Sequence, residues 1–313
     1  MRLLKIVLSA SVFFAISFTS AFAEVYSYGK NNTVIGVIKT HKVNGNESLI
    51  EIARNYGVGY NEIVDANPKL DPFLPGSNST VNIPSMWILP DVASYDGIVI
   101  NITEMRLYYF FRQKKTVLVR TFPIGIGDEG NDTPVGNFKI IEKIANPAWH
   151  VPESIKKERP ELPNVVPPGP NNPLGTHALR LSLGSYLIHG TNRPWAVGRR
   201  VTHGCIRLYP EDIPKLFQIV PKGMKVTIVR QPVKVGVKGD SVYIEVHRDD
   251  TEKDINYFNE AVELLKKKGL LKKINTEKLY HAVREKSGIP VEISGFKIEL
   301  PQKIFAENFL RER

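Results

Sequence analysis

Cys205 is the only cysteine among 313 residues, so the chain can form no internal disulfide. The N-terminus makes that restriction matter. Arg2 and Lys5 precede an apolar run from Ile6 to Phe18, and Ala21-Phe22-Ala23 follows. A charged n-region, an h-region and an A-x-A end predict an export signal over residues 1–23, cleaved between Ala23 and Glu24. The other reading is an uncleaved anchor, because Ile6 to Ala23 carries no formal charge, although serines and a threonine dilute it. No cysteine follows the h-region, which excludes a lipoprotein anchor, and no later segment is apolar enough to span a bilayer. Many exported proteins are braced by disulfides. This one must rest on core burial, and its length allows two or three domains.

The formal net charge is +10. Outside the cytoplasm such a balance points to anionic surroundings: wall polymer, lipopolysaccharide or anionic lipid. Nucleic acid is the other usual partner of a basic chain, but there is no basic helix, zinc-ligand spacing or aromatic-basic platform to support it.

Residues 96–230 read as short strands between turn signals. The runs are Gly97 to Asn101, Arg106 to Arg112, Thr116 to Phe122 and Phe138 to Lys143, then a hairpin of Ala178 to Leu183 and Tyr186 to His189, and a closing Val226 to Arg230. Gly125, Gly127 and Thr133-Pro134-Val135-Gly136 punctuate them. One short helix, Pro210 to Val220, would bury Ile213, Leu216, Phe217 and Val220. Many strands and one helix predict a mainly β, sandwich- or barrel-like domain. Residues 146–175 are proline-rich with no sustained period. They predict either a loop over the functional site or a surface insertion.

The chemistry concentrates in YLIHGTNRPWAVGRRVTHGCIRLYP, Tyr186 to Pro210. It holds Cys205 and two of the seven histidines, His189 and His203, each followed by glycine. Acyl transfer by a thiol needs a thiolate, a base to make it, and N–H groups aimed at an oxyanion. His189 ends a predicted strand, so a rigid element would hold its imidazole near the thiol. Gly204 lets the backbone beside Cys205 turn sharply. The plainer readings are a buried apolar cysteine and structural histidines, against which stand the polar setting THGC and the odd thiol in an exported chain.

These residues resemble the catalytic signature of the L,D-transpeptidases (the YkuD-type domain): His189-Gly190-Thr191, then Thr202-His203-Gly204-Cys205, with Arg207 two places on. Thr202 stands where Ser is commoner. The resemblance covers roughly Asp96 to Val229. It implies a cysteine acyltransferase acting on peptidoglycan tetrapeptide stems, at the bond between the L-centre of meso-diaminopimelate and terminal D-Ala. No carboxylate in the motif is spaced to orient His189; in the family the carbonyl after that histidine does so, here Gly190. Cys205 would be the nucleophile, His189 the base, and Gly204 and Cys205 the N–H donors. His203 would shape the turn, and Arg207 would bind a substrate carboxylate or brace the site. Thr191, Thr202 and Trp195 are further candidates to touch substrate. No cofactor is required.

Residues 39–84 read strand–helix–helix–strand, with Asn46 or Ser48 able to cap the first helix. SLIEIARNYGV and NEIVDANP resemble a LysM module, although Asn46-Glu47-Ser48-Leu49 departs from its usual opening. That resemblance implies binding of the glycan of peptidoglycan; a folded spacer is the alternative. Residues 235–313 predict a short α+β extension: a strand at Val242 to Val246, an amphipathic helix over Thr251 to Lys268, and another from Asn275 or Thr276 to near Gly288.

The expectation is thus a periplasmic L,D-transpeptidase in wall cross-linking or lipoprotein anchoring, partnered by stem peptides, glycan and an envelope lipoprotein as one acyl acceptor. Three alternatives stand beside it. Water as acceptor would make an L,D-carboxypeptidase. A thiol–imidazole metal site could use His177, His189, His203 and Cys205, which lack zinc-ribbon spacing. A non-catalytic wall-binding protein would need none of this chemistry.

Overall fold

A computed structural model describes residues 24–252 and 254–295. The expected export signal over residues 1–23 lies outside the described residues. Among the described residues no helix is long and apolar enough to cross a membrane.

The chain is mainly β, built on a nine-stranded sheet. In spatial order its strands are Val25–Ser27, Thr116–Pro123, Arg106–Gln113, Gly97–Asn101, Lys225–Val229, Gly136–Ala145, His177–Leu181, Leu187–His189 and Ile206–Arg207. Two joints are parallel, Gly97–Asn101 with Lys225–Val229 and Leu187–His189 with Ile206–Arg207. The long strand Gly136–Ala145 curls the sheet. Residues Gly136 to Lys139 pair with Lys225–Val229 on one edge, and Ile140 to Ala145 pair with His177–Leu181 on the other. The register slips between Ile140 and Glu142, and a bulge there sharpens the local twist.

Alternation along the strands gives the sheet two apolar faces. Ile98, Ile100, Leu107 and Tyr109 join Ile188, Ile206 and Leu216 in one core. Leu216 comes from the helix Ile213–Ile219, which starts three residues later than the sequence suggested. Val99, Tyr108, Phe110 and Val119 point the other way, into a second core with Leu49, Ile52, Ile63, Val81 and Trp87. The N-terminal region therefore covers the back of the nine-stranded sheet. Val25–Ser27 adds to its edge by pairing with Thr116–Pro123.

Residues 39–84 form a strand (Lys39–Lys42), two helices (Leu49–Asn55 and Tyr60–Asp65) and a strand (Thr80–Ile83) that pairs antiparallel with the first. Ser48, rather than Asn46, caps the first helix, in a reciprocal pair with Glu51. That arrangement satisfies two helix-end donors at once.

The C-terminal part has its own core, with Val235, Ile244, Leu265 and Leu279 among its members. It comprises the strands Val233–Lys238, Ser241–Val246 and Val291–Glu292 and the helices Tyr257–Lys267 and Thr276–Glu285. The first helix begins at Tyr257, later than expected, because the Asn256 side chain caps it by accepting from the Asn259 N–H. Buried charge joins this part to the main sheet. Lys234 Nζ lies 2.6 Å from Glu104 and 2.9 Å from Glu245, and His247 lies 2.7 Å from Glu245.

Candidate active site

His189 closes the strand Leu187–His189, and Cys205 stands one residue before the strand Ile206–Arg207. These strands are parallel neighbours, with Ile188 opposite Ile206 and His189 opposite Arg207. Successive side chains leave a strand on opposite faces. Ile188 and Ile206 enter the core, 0% and 1% exposed. Leu187, His189, Cys205 and Arg207 consequently share the other face, where Cys205 packs on Leu174, Ala178 and Leu187.

The imidazole is held in one tautomer. His189 Nδ1 lies 2.6 Å from the carbonyl oxygen of Gly190. A carbonyl can only accept, so Nδ1 carries the proton and Nε2 is left with the lone pair a base needs. Burial, aided by the nearby Arg207 charge, holds His189 at about 3, against the pull of the Gly190 and Leu174 carbonyls. Burial pushes the Cys205 thiol up, while the Leu187 backbone and Arg207 pull it down. At neutral pH the thiol and the imidazole, on one face of the sheet, are thus both uncharged. The Arg207 guanidinium is mostly buried, and burial lowers its own affinity for a proton. Its Nε is buried without a hydrogen-bond partner among the described residues.

The turn before Cys205 is set by two hydroxyls. Thr202 donates to the carbonyl of Cys205 at 2.6 Å and accepts from the Gly204 N–H at 3.1 Å. Thr133 donates to the Gly204 carbonyl at 2.9 Å and accepts from the Gly127 N–H at 3.0 Å. Gly204 has φ +93°, and a Cβ there would stand 2.7 Å from the Tyr186 ring. Glycine is required at this position on both counts.

These contacts revise several sequence expectations. The Gly204 N–H is engaged by Thr202, so of the two expected oxyanion donors Cys205 alone forms no such bond among the described residues. Thr202 is buried with its one donor committed, and Thr191 is buried with its hydroxyl accepting from the Arg193 N–H at 3.0 Å. Both hydroxyls brace the backbone. Trp195 is 54% exposed in the short helical turn Pro194–Ala196. The His203 Nε2 faces Glu158 Oε2 at 3.2 Å, on the exposed side. His177 lies against Phe217 instead, ring centroids 4.5 Å apart, so the four residues weighed as a metal set are not gathered at one point. Among the described residues, Glu104, Glu245 and His247 lie close enough to share an ion, and Lys234 already binds both glutamates.

The proline-rich stretch has more structure than its sequence suggested. It folds into the pair Trp149–His150 and Val165–Val166, with a helix Glu153–Glu158 between them. The Asn172 side chain donates to the carbonyls of Pro147, Val166 and Pro167 and fastens its base. Trp149 packs on the same apolar cluster as Cys205, and Glu158 meets His203, so the stretch lies beside the thiol. Thr133, Glu158 and Leu174 belong to this neighbourhood and were not singled out as site residues from sequence. Thr133 carried a signal in the turn run TPVG, whereas the others had none.

A family model for the L,D-transpeptidase catalytic domain (YkuD) matches residues 95–228. Over 288 residues the chain is 39% identical to a protein of Escherichia coli (strain K12) named probable L,D-transpeptidase YcfS, covering 87% of this chain and 88% of that one. It is 39% identical over 266 residues to probable L,D-transpeptidase YbiS of the same strain, covering 80% and 85%. It is 38% identical over 263 residues to probable L,D-transpeptidase ErfK/SrfK of Salmonella typhimurium (strain LT2), covering 80% and 84%.

Proposed function

The chain belongs to the L,D-transpeptidase family, and from that premise we propose that it is a periplasmic cysteine acyltransferase acting on peptidoglycan tetrapeptide stems. One observation carries the reading. His189 Nδ1 is held by the Gly190 carbonyl, which leaves Nε2 as the basic nitrogen of an imidazole that shares its sheet face with Cys205 and Arg207.

His189 Nε2 takes the thiol proton as Cys205 sulfur attacks the carbonyl between meso-diaminopimelate and D-Ala. The Cys205 N–H donates to the oxyanion. Collapse returns the proton to the departing amine, so D-Ala leaves and a thioester remains. An acceptor amine then gives its proton to His189 and attacks the thioester, and the expelled sulfur is reprotonated. Base catalysis of this kind contributes about 10² to 10⁴-fold. Arg207 stabilises the sulfur anion and receives a stem carboxylate, a role supported by its buried, unpartnered Nε. Residues 39–84 act as a LysM-type module that holds glycan, and residues 1–23 act as the cleaved export signal.

The acceptor decides the biological outcome. A stem amine gives a cross-link, a lipoprotein lysine gives an anchor, and water gives a trimmed stem. Incubation of the mature protein with disaccharide-tetrapeptide, followed by mass spectrometry, is expected to show free D-Ala and a dimer lacking one D-Ala. Tripeptide without dimer would make the enzyme an L,D-carboxypeptidase, and unchanged tetrapeptide would refute the reading.

A further inference from the structure

The segment between the two motifs, from Gly190 to Thr202, does not hang free. Its middle is held from two sides. On the sheet side, the Gly198 N–H donates to Ile124 O at 3.0 Å and the Ile126 N–H donates to Arg199 O at 3.0 Å. On the other side lies the start of the helix Tyr60–Asp65. The Tyr60 N–H donates to Val197 O at 3.3 Å and the Asn61 N–H to Gly198 O at 3.1 Å. The Arg199 guanidinium stacks 3.6 Å from the Tyr60 ring centroid.

The approach is backbone on backbone. Gly198 has φ +79°, and a Cβ there would run into Gly59 and the Tyr60 nitrogen; a Cβ on Gly59 would stand 2.9 Å from the Gly198 Cα. No side-chain rotation could relieve either contact. The grip continues toward the thiol. Gly125, between the two sheet-side anchors, exchanges both backbone hydrogen bonds with Arg207, at 2.8 and 2.9 Å. A contiguous chain of hydrogen bonds thus runs from the helix through Gly198 and residues 124–126 to Arg207, on the same face as His189 and Cys205. Beside this path, Tyr209 donates to Val58 O at 3.1 Å, and Arg54 makes a two-pronged pair with Glu211 at 2.9 Å each.

We propose that residues 59–61 of the N-terminal module are a positioning element for the catalytic centre, fixing Arg207 relative to Cys205 and His189 through Gly198. The module then serves the reaction whether or not it also holds glycan. This inference rests on the acyl-transfer reading of the site and adds the module's contribution to it.

The test compares the full mature chain with Gly198→Ala, Tyr60→Ala and Tyr60→Phe. Each is assayed for D-Ala release from a tetrapeptide stem and for the pH profile of Cys205 alkylation by iodoacetamide. Circular dichroism and thermal melting confirm the fold. Arg207 is the charged group that bears on both the Cys205 thiol and the His189 imidazole, and Arg193 and Asp128 act on Arg207 in turn. Displacing Arg207 withdraws a cation from the thiol, so the alkaline limb of alkylation moves to higher pH. Gly198→Ala is expected to show that movement and a fall in kcat of about tenfold or more, with KM within about twofold. Tyr60→Ala moves both in the same direction, and Tyr60→Phe, which keeps a stacking ring, behaves as the parent. A folded Gly198→Ala protein with unchanged profile and kcat, even with a lower melting temperature, overturns the proposal and leaves the contact merely structural. Should the parent itself release no D-Ala, the catalytic reading fails, and the alkylation profiles alone decide whether the module positions Arg207.

Discussion

Glu62 and Arg106 form a buried ion pair between the N-terminal module and the catalytic sheet. Arg106 Nε lies 2.8 Å from one carboxylate oxygen and its NH2 group 2.7 Å from the other. The Trp87 indole donates to the same carboxylate at 3.1 Å and lies under the guanidinium, 4.1 Å from ring to carbon. Removing one partner of such a pair strands the other charge in the interior, at a cost of about 3–5 kcal/mol. Glu62→Ala should lower the stability of the catalytic unit by that order, seen as a shifted denaturation midpoint. Excising residues 39–84 should yield an insoluble or unfolded remainder, because Val99, Tyr108, Phe110 and Val119 lose their cover. A soluble, fully active remnant would show the two parts to be independent.

The turn at Gly204 offers a second test. Thr133→Val removes the hydroxyl that bridges the Gly204 carbonyl and the Gly127 N–H while keeping the shape. Leaving buried partners unpaired costs about 1–3 kcal/mol. Thr133→Val should therefore melt earlier and release D-Ala more slowly, and Thr133→Ser should restore both. Equal behaviour of the two variants would remove the hydroxyl from the account.

Acid sensitivity follows from the buried imidazole. His189 titrates at about 3 in the folded chain, against about 6.5 in an unfolded one. Between those values the unfolded chain binds a proton that the folded chain refuses. The His189 contribution to stability is therefore whole above pH 6.5 and is lost as pH falls toward 3, by up to about 1.4 kcal/mol per pH unit. Chemical denaturation of the parent and of His189→Gln across that range should show the parent's curve falling more steeply. Parallel curves would mean that the imidazole is not buried as described.

Much of the fold was legible because alternation and turn residues are local signals. The hairpin that ends at His189, the closing strand before Arg230 and the helix that buries Leu216 could all be read from spacing. Partner choice could not. Nothing in Val25–Ser27 announces that it pairs with Thr116–Pro123, and nothing in Tyr60 announces Arg199. At the site, the type and order of His189 and Cys205 suggested the pair, and the parallel strands put them on one face. The division of labour around them was not legible, because it depends on which hydroxyl reaches which carbonyl. His203 illustrates the gap. Its place in the motif suggested a structural duty, but nothing in the motif announced the hydroxyls of Thr202 and Thr133 that tie the same turn, or the reach of His203 to Glu158.

The contact of His203 with Glu158 offers a further test of which histidine serves the thiol. The Glu158→Ala variant should leave Cys205 alkylation at neutral pH within about twofold of the parent while changing the KM for stem peptide, because the helix Glu153–Glu158 loses its tie to the catalytic turn. An alkylation rate lowered as far as base loss would lower it, by about 10²-fold or more, would instead tie Glu158 to thiol activation.

Activation of Cys205 by His189 Nε2 is the step on which the mechanism turns. It is tested most directly by measuring, in folded His189→Ala and His203→Ala proteins, the rate of Cys205 alkylation and the rate of thioester formation with a tetrapeptide stem. Intact-mass spectrometry detects the thioester. His189→Ala is expected to slow both rates, acylation by about 10² to 10⁴-fold, and His203→Ala to spare alkylation and slow acylation less. Alkylation abolished in His203→Ala and preserved in His189→Ala would refute activation by His189 and make His203 the base.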